Sequence, residues 1–254
     1  MANKKGNEAK RLEALSLNVI TKEGYLIRVI EYFDAYNCTI QFVYNARILH
    51  NVQYSQVKSG EIRNVYHKSN NGVGYTGDGV CSLKSHRKAY QAWSNMLTRG
   101  YSEKYKNERT TYKDVTVCEE WHNFQNFAKW FEENYIEGWH LDKDIICPDC
   151  KIYSPETCIF VPRDINILLA KRDKMRGELP IGVTFHKRSS TFQVNINKYG
   201  KTVYIGSFTT KEEAFYAYKK EKENYIKEVS EIWKSKLNLE VYQALINYRV
   251  KITD

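Results

Sequence analysis

The sequence predicts an α+β protein built from several small sheets and helices. Short runs of β-branched and aromatic residues dominate residues 24–57, which is typical of β-strands. Aromatic residues spaced three and four apart between positions 86 and 134 indicate helices, and strand-like alternation returns from position 182 before one long helical segment. Strands and helices that occupy separate parts of a chain favour the α+β class.

Residues 1–72 are predicted to form a small N-terminal β-rich module. The runs IRVIEYF, CTIQFVY and NVQYSQV are separated by turn residues, as in an antiparallel sheet or barrel. Basic residues occur throughout this module. They would either line an edge that contacts phosphates or belong to an ordinary solvated surface, so DNA binding by this module stays open.

A linker is predicted next, because residues 69–79 contain four glycines in eleven residues. A phosphate-binding loop would continue with Lys-Ser or Lys-Thr and a helix, and neither follows in register. The second predicted domain, residues 80–175, begins with helices over His86–Thr98 and Glu119–Asn134. Their aromatic stripes are typical of a packed core.

Residues 138–171 have the layout of a ββα finger. A strand is expected around Leu141–Ile145, a turn at Cys147–Cys150, a returning strand over Tyr153–Phe160, and a helix from Arg163 to Lys171 after Pro162. This segment concentrates the groups that could bind a hard divalent cation and transfer a proton. They are His140, Asp142, Asp144 and Asn166. Strand alternation places His140, Asp142 and Asp144 on one face.

These motifs resemble the HNH endonucleases of bacteriophages, and in particular the phage homing endonucleases. The resemblance is carried by LDKDI (141–145), YSPETCIFVP (153–162), Asn166 and a helical lead-in over 90–101 and 114–131. It implies Mg²⁺-dependent cleavage of double-stranded DNA. Asp142 and Asn166 would bind the metal, and His140 or Asp144 would orient or deprotonate the attacking water.

Two positions depart from the family pattern. The family places its general base, a histidine, where this chain has Lys143 or Asp144, and it places an asparagine where this chain has Thr157. The chain would therefore be either a variant nuclease that still cleaves, or an inactive nuclease scaffold that binds DNA as a transcriptional repressor.

The motif Cys147-Pro-Asp-Cys150 has the spacing of a metal-binding pair. Cys147 and Cys150, with Cys158 nearby, could contribute to a structural Zn²⁺ site, but a tetrahedral site needs a fourth ligand and no second CxxC is present. We therefore expect a hairpin loop with reduced cysteines, without a disulfide, since the chain should reside in a reducing compartment.

Residues 180–254 are predicted to form three strands and a helix. Phe192, Val194 and Ile196 alternate with Gln193, Asn195 and Asn197, so the apolar set would face a core and the amides an open face. The first strand follows the same rule, with Val183 and Phe185 inward and Thr184 and His186 outward. The sequence Thr209-Thr-Lys-Glu212 is expected to cap the helix.

The open face has the composition of a DNA major-groove surface, with amides, hydroxyls and flanking lysines and an arginine. The predicted DNA-binding residues are Thr184, His186, Lys187, Arg188, Gln193, Asn195, Asn197 and Lys201, with Lys198 as a further flanking cation. The segment is similar to AP2-type DNA-binding domains through Gly182-Val183, Gly200-Lys201, Tyr204–Phe208 and Glu212–Ala214. Members of that family tend to contact bases with arginine and tryptophan, which are replaced here by glutamine, asparagine and threonine.

The charge balance agrees with a polyanionic partner. The chain has 39 Lys+Arg against 30 Asp+Glu, a formal net charge of +9. No membrane partner is expected, because no apolar run is long enough to span a bilayer. We expect a double-stranded DNA partner in the cytoplasm of a bacterial host cell. Whether the chain acts as a homodimer stays open, and RNA binding is disfavoured by the AP2 resemblance.

Overall fold

The computed structural model describes residues 2–148, 150–169 and 179–252 and confirms the α+β class. The chain divides into two compact units. The N-terminal unit comprises Met1–Glu103 and Glu119–Ala128, and the C-terminal unit comprises Lys104–Cys118 and Lys129–Asp254. The three predicted domain ranges, 1–72, 80–175 and 180–254, stay predictions. None of the helices in the described ranges combines the length and the apolar character needed to cross a bilayer.

The N-terminal unit begins with a helix and a four-stranded antiparallel sheet in the order β1-β2-β3-β4. Its elements are α1 (Ala2–Leu15), β1 (Asn18–Ile20), β2 (Leu26–Asp34), β3 (Asn37–Phe42), β4 (Ile48–Val52) and α2 (Tyr54–Lys58). Ile27 and Val29 of β2 and Ile40 and Phe42 of β3 are buried, so alternate residues of each strand form the core. Of the third predicted strand, NVQYSQV, only the beginning belongs to a strand, because its second half forms α2.

The glycine-rich segment is packed into the N-terminal unit, so the prediction of a linker there is wrong. A Cβ atom at Gly74 would clash with the side chains of Leu97 and Trp93. The next residue, Tyr75, donates its backbone N–H to the carbonyl of His122 at 2.9 Å. The glycine at position 74 therefore permits close packing and does not supply flexibility.

The aromatic stripes form the core that the sequence predicts. The helices are α3 (Arg87–Tyr101), α4 (Glu103–Glu108) and α5 (Phe124–Asn134), with 3₁₀ turns at Thr110–Tyr112 and Glu119–His122. Trp93, Trp121, Phe124 and Phe127 are fully buried. The Trp93 indole N–H donates to the carbonyl of Trp121 at 2.7 Å, which satisfies the only polar atom of this buried side chain.

The finger of the C-terminal unit has two strands more than predicted. Its elements are β5 (Thr116–Val117), β6 (Trp139–Asp142), β7 (Ile152–Tyr153), β8 (Ile159–Pro162) and α6 (Arg163–Leu168). β5 pairs with β7 in parallel, and β6 pairs with β8 in antiparallel register. The predicted strand Tyr153–Phe160 is therefore two strands, because a turn over residues 154–157 interrupts it. The end of the predicted helix at Lys171 lies outside the described residues.

The C-terminal sheet has the predicted three strands, in the order β11-β10-β9. Its elements are β9 (Val183–His186), β10 (Thr191–Lys198) and β11 (Lys201–Phe208), followed by α7 (Lys211–Trp233) and α8 (Leu239–Ile246). One face packs on α7 and the finger. Val161 and Ile165 of the finger share a single buried cluster with Val194, Ile196 and Ala214. The finger and the C-terminal sheet are thus built on one core.

Candidate nucleic-acid interface

The C-terminal sheet has one polar face that α7 does not cover. In the strand register, Gln193 lies opposite Thr184 and Ser207, Asn195 opposite Tyr204, and Asn197 opposite Thr202. Side chains paired in this way point to the same side of a sheet. We call this side the open face; it comprises Thr184, His186, Thr191, Gln193, Asn195, Asn197, Thr202, Tyr204 and Ser207. On the other side Val194 and Ile196 are buried, as predicted.

A chain of hydrogen bonds orders one corner of the open face. The His186 Nδ1 lies 2.9 Å from the Ser189 hydroxyl, which lies 2.7 Å from that of Thr191. The Ser207 hydroxyl completes the chain by donating to Thr191 at 2.7 Å. These hydroxyls have partners within the protein and are held in place by them.

The amides of the open face are free of such bonds. Within residues 179–252, the side chains of Gln193, Asn195 and Asn197 make no hydrogen bond to the protein. Gln193 and Asn195 are partly buried and Asn197 is exposed. Three adjacent outward positions of β10 therefore present donors and acceptors that a ligand could use.

Three of the predicted cations flank this face without a counter-charge among the described residues. Lys187 and Arg188 are exposed in the turn between β9 and β10, and Lys201 is exposed at the start of β11. Lys198 does not belong with them. Its ammonium pairs with Glu221 of α7 at 2.5 Å and lies 5.5 Å from the ring centre of Tyr225. Val194, Ile196 and position 198 are alternate residues of β10 and lie on the same side of the sheet, so Lys198 points toward the helix.

Two aromatic residues differ from the prediction. Phe185 was expected inward but is 47 % exposed. It lies on the apolar side and contacts the Phe192 ring, with centroids 5.1 Å apart, at an edge that α7 leaves uncovered. Tyr204, which was not predicted as a site residue, is 58 % exposed on the open face. Counting every second residue forward from the turn at Tyr199–Gly200 would have placed Tyr204 on the open face.

Asp142 is the last residue of β6 and its carboxylate organises the turn that follows. Its Oδ1 accepts the backbone N–H groups of Asp144 at 2.8 Å and Ile145 at 2.9 Å. Burial raises the pKa of Asp142, and these two hydrogen bonds oppose that effect. His140 and Asp142 share a face of β6. The prediction that Asp144 shares it is wrong, because the strand ends at Asp142.

Lys143 and Asp144, where the resemblance to HNH endonucleases would place a general base, form an ion pair. The Lys143 side chain is 5 % exposed, and its ammonium donates to the Asp144 carboxylate at 2.5 Å and to the Cys150 carbonyl at 3.2 Å. An ammonium that is held by a carboxylate is a poor base. His140, exposed on β6, is the imidazole that the finger presents to solvent.

The predicted Mg²⁺ ligands lie on neighbouring elements. Asp142 ends β6, Asn166 is partly buried on α6, and α6 packs against both β6 and β8. In the described ranges, no group of three or more His, Cys, Asp or Glu side chains is placed to hold a metal ion. A magnesium ion here would take oxygen from Asp142 and Asn166, with water completing its shell.

Thr157 braces the loop between the two strands of the finger. Its hydroxyl accepts the Ser154 N–H at 3.0 Å and donates to the Ile152 carbonyl at 2.7 Å. These bonds close the turn that separates β7 from β8. A threonine can therefore hold this loop in place of the asparagine that the resemblance to HNH endonucleases implies.

Cys147 and Cys150 are joined by a disulfide, with Cα atoms 5.3 Å apart, so the prediction of reduced cysteines is wrong. The CxxC spacing allows the two sulfurs to meet within one turn. In this form neither residue is a thiolate and neither can bind zinc. Burial raises the pKa of the Cys158 thiol to about 12, so at neutral pH it is protonated as well.

Comparison with family models, curated proteins and solved structures found no match to this chain.

Proposed function

We propose that this chain is a sequence-specific binding protein for double-stranded DNA, acting in the cytoplasm of a bacterial cell and contacting base edges through the open face. The observation that carries the proposal is the row of amides on β10, Gln193, Asn195 and Asn197, which have no hydrogen bond within residues 179–252 and are flanked by cations that have no ion pair in the described ranges. Asparagine and glutamine bind adenine through two hydrogen bonds in the major groove, which is wide enough to admit strands.

The spacing of these amides suits a duplex. Alternate residues of a strand lie about 6.6 Å apart, which is close to two base-pair steps of about 3.4 Å. Asn195 and its neighbours could thus contact successive pairs of bases along one groove. The exposed hydroxyls of Thr184 and Thr202 flank the row and can bond to any base edge.

The cations beside the open face supply binding affinity that does not depend on the DNA sequence. Lys187, Arg188 and Lys201 can each neutralise a phosphate, which releases counterions and makes binding sensitive to salt. Lys198 is excluded from this role because it is paired with Glu221.

The test begins with selection of bound duplexes from a random DNA library by the purified protein. On the selected site, Asn195→Ala should weaken binding by about 1–3 kcal/mol and leave binding to a scrambled duplex nearly unchanged. The control Lys201→Ala should weaken both duplexes alike and reduce the slope of log K against log salt by about one. A library that shows no enrichment, or an Asn195→Ala variant that loses both duplexes equally, would overturn the proposal.

A second candidate function is metal-dependent cleavage of the bound DNA, as in a phage HNH homing endonuclease. The observation that favours it is the strand, strand and helix arrangement of β6, β8 and α6, with Asp142 and Asn166 on packed elements and Thr157 bracing the loop. Asp142 and Asn166 would hold Mg²⁺, which stabilises charge on the phosphate. His140 would accept a proton from water, because Lys143 and Asp144 are paired to each other.

Cleavage is tested by incubating the selected duplex with the protein and Mg²⁺ or Mn²⁺. We expect nicks that require the metal, that are lost in Asp142→Asn, and that persist in the control Asp164→Asn on the exposed side of α6. Tight binding by the wild type with no nick under any metal would overturn the nuclease. It would leave the repressor, which blocks transcription by occupying its site.

A further inference from the structure

A cavity of about 800 Å³ lies within the C-terminal unit between α6, α7 and β10. This volume is typical of sites for small organic molecules. Most of the wall is apolar, and its main contributors are Ile167, Leu168, Ile196, Val229 and Trp233. Asn195 and Asn197 of β10 also contribute to the wall, so the cavity shares two residues with the open face.

Lys222 of α7 contributes the one lysine of the wall, and it has no partner within the described ranges. Two neighbouring lysines are engaged by carboxylates. Lys219 pairs with Glu223 at 2.6 Å, and Lys198 pairs with Glu221 at 2.5 Å. The fold thus provides a carboxylate for these two ammonium groups and none for Lys222.

The charge state of Lys222 matches an anionic ligand. Burial lowers the pKa of Lys222 to about 8, and no charged neighbour contributes to the shift. The ammonium is therefore still mostly protonated at neutral pH. The other titratable groups of the wall are Asp164 of α6, Tyr199 of the hairpin, and Tyr218 and Tyr225 of α7. The Tyr225 hydroxyl already accepts the Tyr199 N–H at 2.8 Å.

We propose that this cavity binds a small organic anion, with an apolar body against the wall and a single carboxylate, sulfonate or phosphate group paired with Lys222. A partly buried ammonium without a partner in the described ranges costs free energy that an anion would recover. Asp164 disfavours a second negative group at the α6 end. The cavity shares Asn195 and Asn197 with the open face, but the proposal does not require that the open face bind DNA.

The probe for this site is 8-anilinonaphthalene-1-sulfonate, whose neutral analogue N-phenyl-1-naphthylamine has the same rings without the sulfonate. Binding of both to the full-length protein is measured by fluorescence titration, for the wild type, Lys222→Met and Lys220→Met. Lys220 is exposed on the same helix and serves as the matched control. Circular dichroism checks that each variant is folded.

We expect Lys222→Met to bind the sulfonate probe about tenfold more weakly, the scale of one lost charge-assisted hydrogen bond, and to keep the affinity for the neutral probe. Lys220→Met should resemble the wild type with both probes. Equal affinities of wild type and Lys222→Met for the sulfonate, or parallel losses of both probes, would overturn the proposal.

A pH titration of the wild type tests the same claim without a mutation. The sulfonate stays ionised, while Lys222 loses its charge as the pH rises through about 8. The affinity for the sulfonate should therefore fall between neutral pH and pH of about 9.5, and the affinity for the neutral probe should stay constant. A sulfonate affinity that does not change over this range would contradict the pairing with Lys222.

Discussion

The hydroxyl of Thr157 illustrates how a single side chain can hold a loop. It satisfies one backbone donor, on Ser154, and one backbone acceptor, on Ile152, at a place where water has little access. Buried backbone groups that lose their partners are costly. This oxygen therefore supports the loop that joins β7 and β8, together with the backbone N–H groups of Thr157 and Cys158, which donate to the Ser154 carbonyl.

Replacing Thr157 with valine keeps the shape of the side chain and removes both hydrogen bonds. We expect the free energy of unfolding to fall by about 1–3 kcal/mol, as measured by urea denaturation. Thr202→Val, on an exposed position of β11, should change it by less than about 0.5 kcal/mol. If the two variants are equally stable, the hydroxyl of Thr157 does not brace the loop.

The two-residue period of a β-strand correctly predicted which side chains are buried only in the middle of a strand. Val194 and Ile196 are buried as expected, since both lie in the middle of β10. Asp144 was misplaced because β6 ends two residues earlier, and Phe185 because it lies near the end of the edge strand β9, where its ring stays exposed. Where a strand ends, and which side chains at a sheet edge are covered, depends on tertiary packing. The spacing of residues in the sequence does not show that packing.

At the scale of elements, α7 begins with a capping box one residue later than the sequence predicts. The Thr210 hydroxyl accepts the Glu213 N–H at 3.2 Å, and the Glu213 carboxylate accepts the Thr210 N–H at 3.3 Å. Thr209 and Glu212 have the same spacing, so the sequence offered two registers of one motif. The structure uses the second.

Thr210→Ala removes one half of this capping box. We expect a loss of about 1 kcal/mol in the free energy of unfolding, visible as a lower melting temperature by circular dichroism. The companion variant Glu212→Gln should leave the melting temperature unchanged, because Glu212 has only a weak ion pair at 3.9 Å from Lys211. A larger loss in Glu212→Gln than in Thr210→Ala would show that the predicted register is the correct one.

The elements that the sequence predicted best are those with long, regular patterns. The aromatic spacing located α3 and α5, and alternation located the three strands of the C-terminal sheet. Shorter elements were missed or merged: β7 and β8 were taken for one strand, and α2 was taken for the end of another. A two-residue strand has too few side chains to show a period.

Over the whole molecule, the count of 39 Lys+Arg overstates the number of cations available to a partner. Arg47 is engaged by Asp78, Lys143 by Asp144 and Lys198 by Glu221. The sequence shows how many charges there are, but the pairing depends on which side chains the fold brings together. The packing of the glycine-rich segment escaped sequence reasoning for the same reason, since its neighbours Trp93 and Leu97 follow it by about twenty residues.

The common core of the finger and the C-terminal sheet has a geometric consequence. Val161 and Ile165 pack in the same cluster as Val194 and Ile196, so neither element can shift without disturbing the other. A duplex held on the open face would meet the finger at a set number of base pairs from the bases it presents to β10. The C-terminal unit would then set a fixed distance along the DNA. Any phosphodiester bond that the finger cleaves should lie a constant number of base pairs from the recognised sequence.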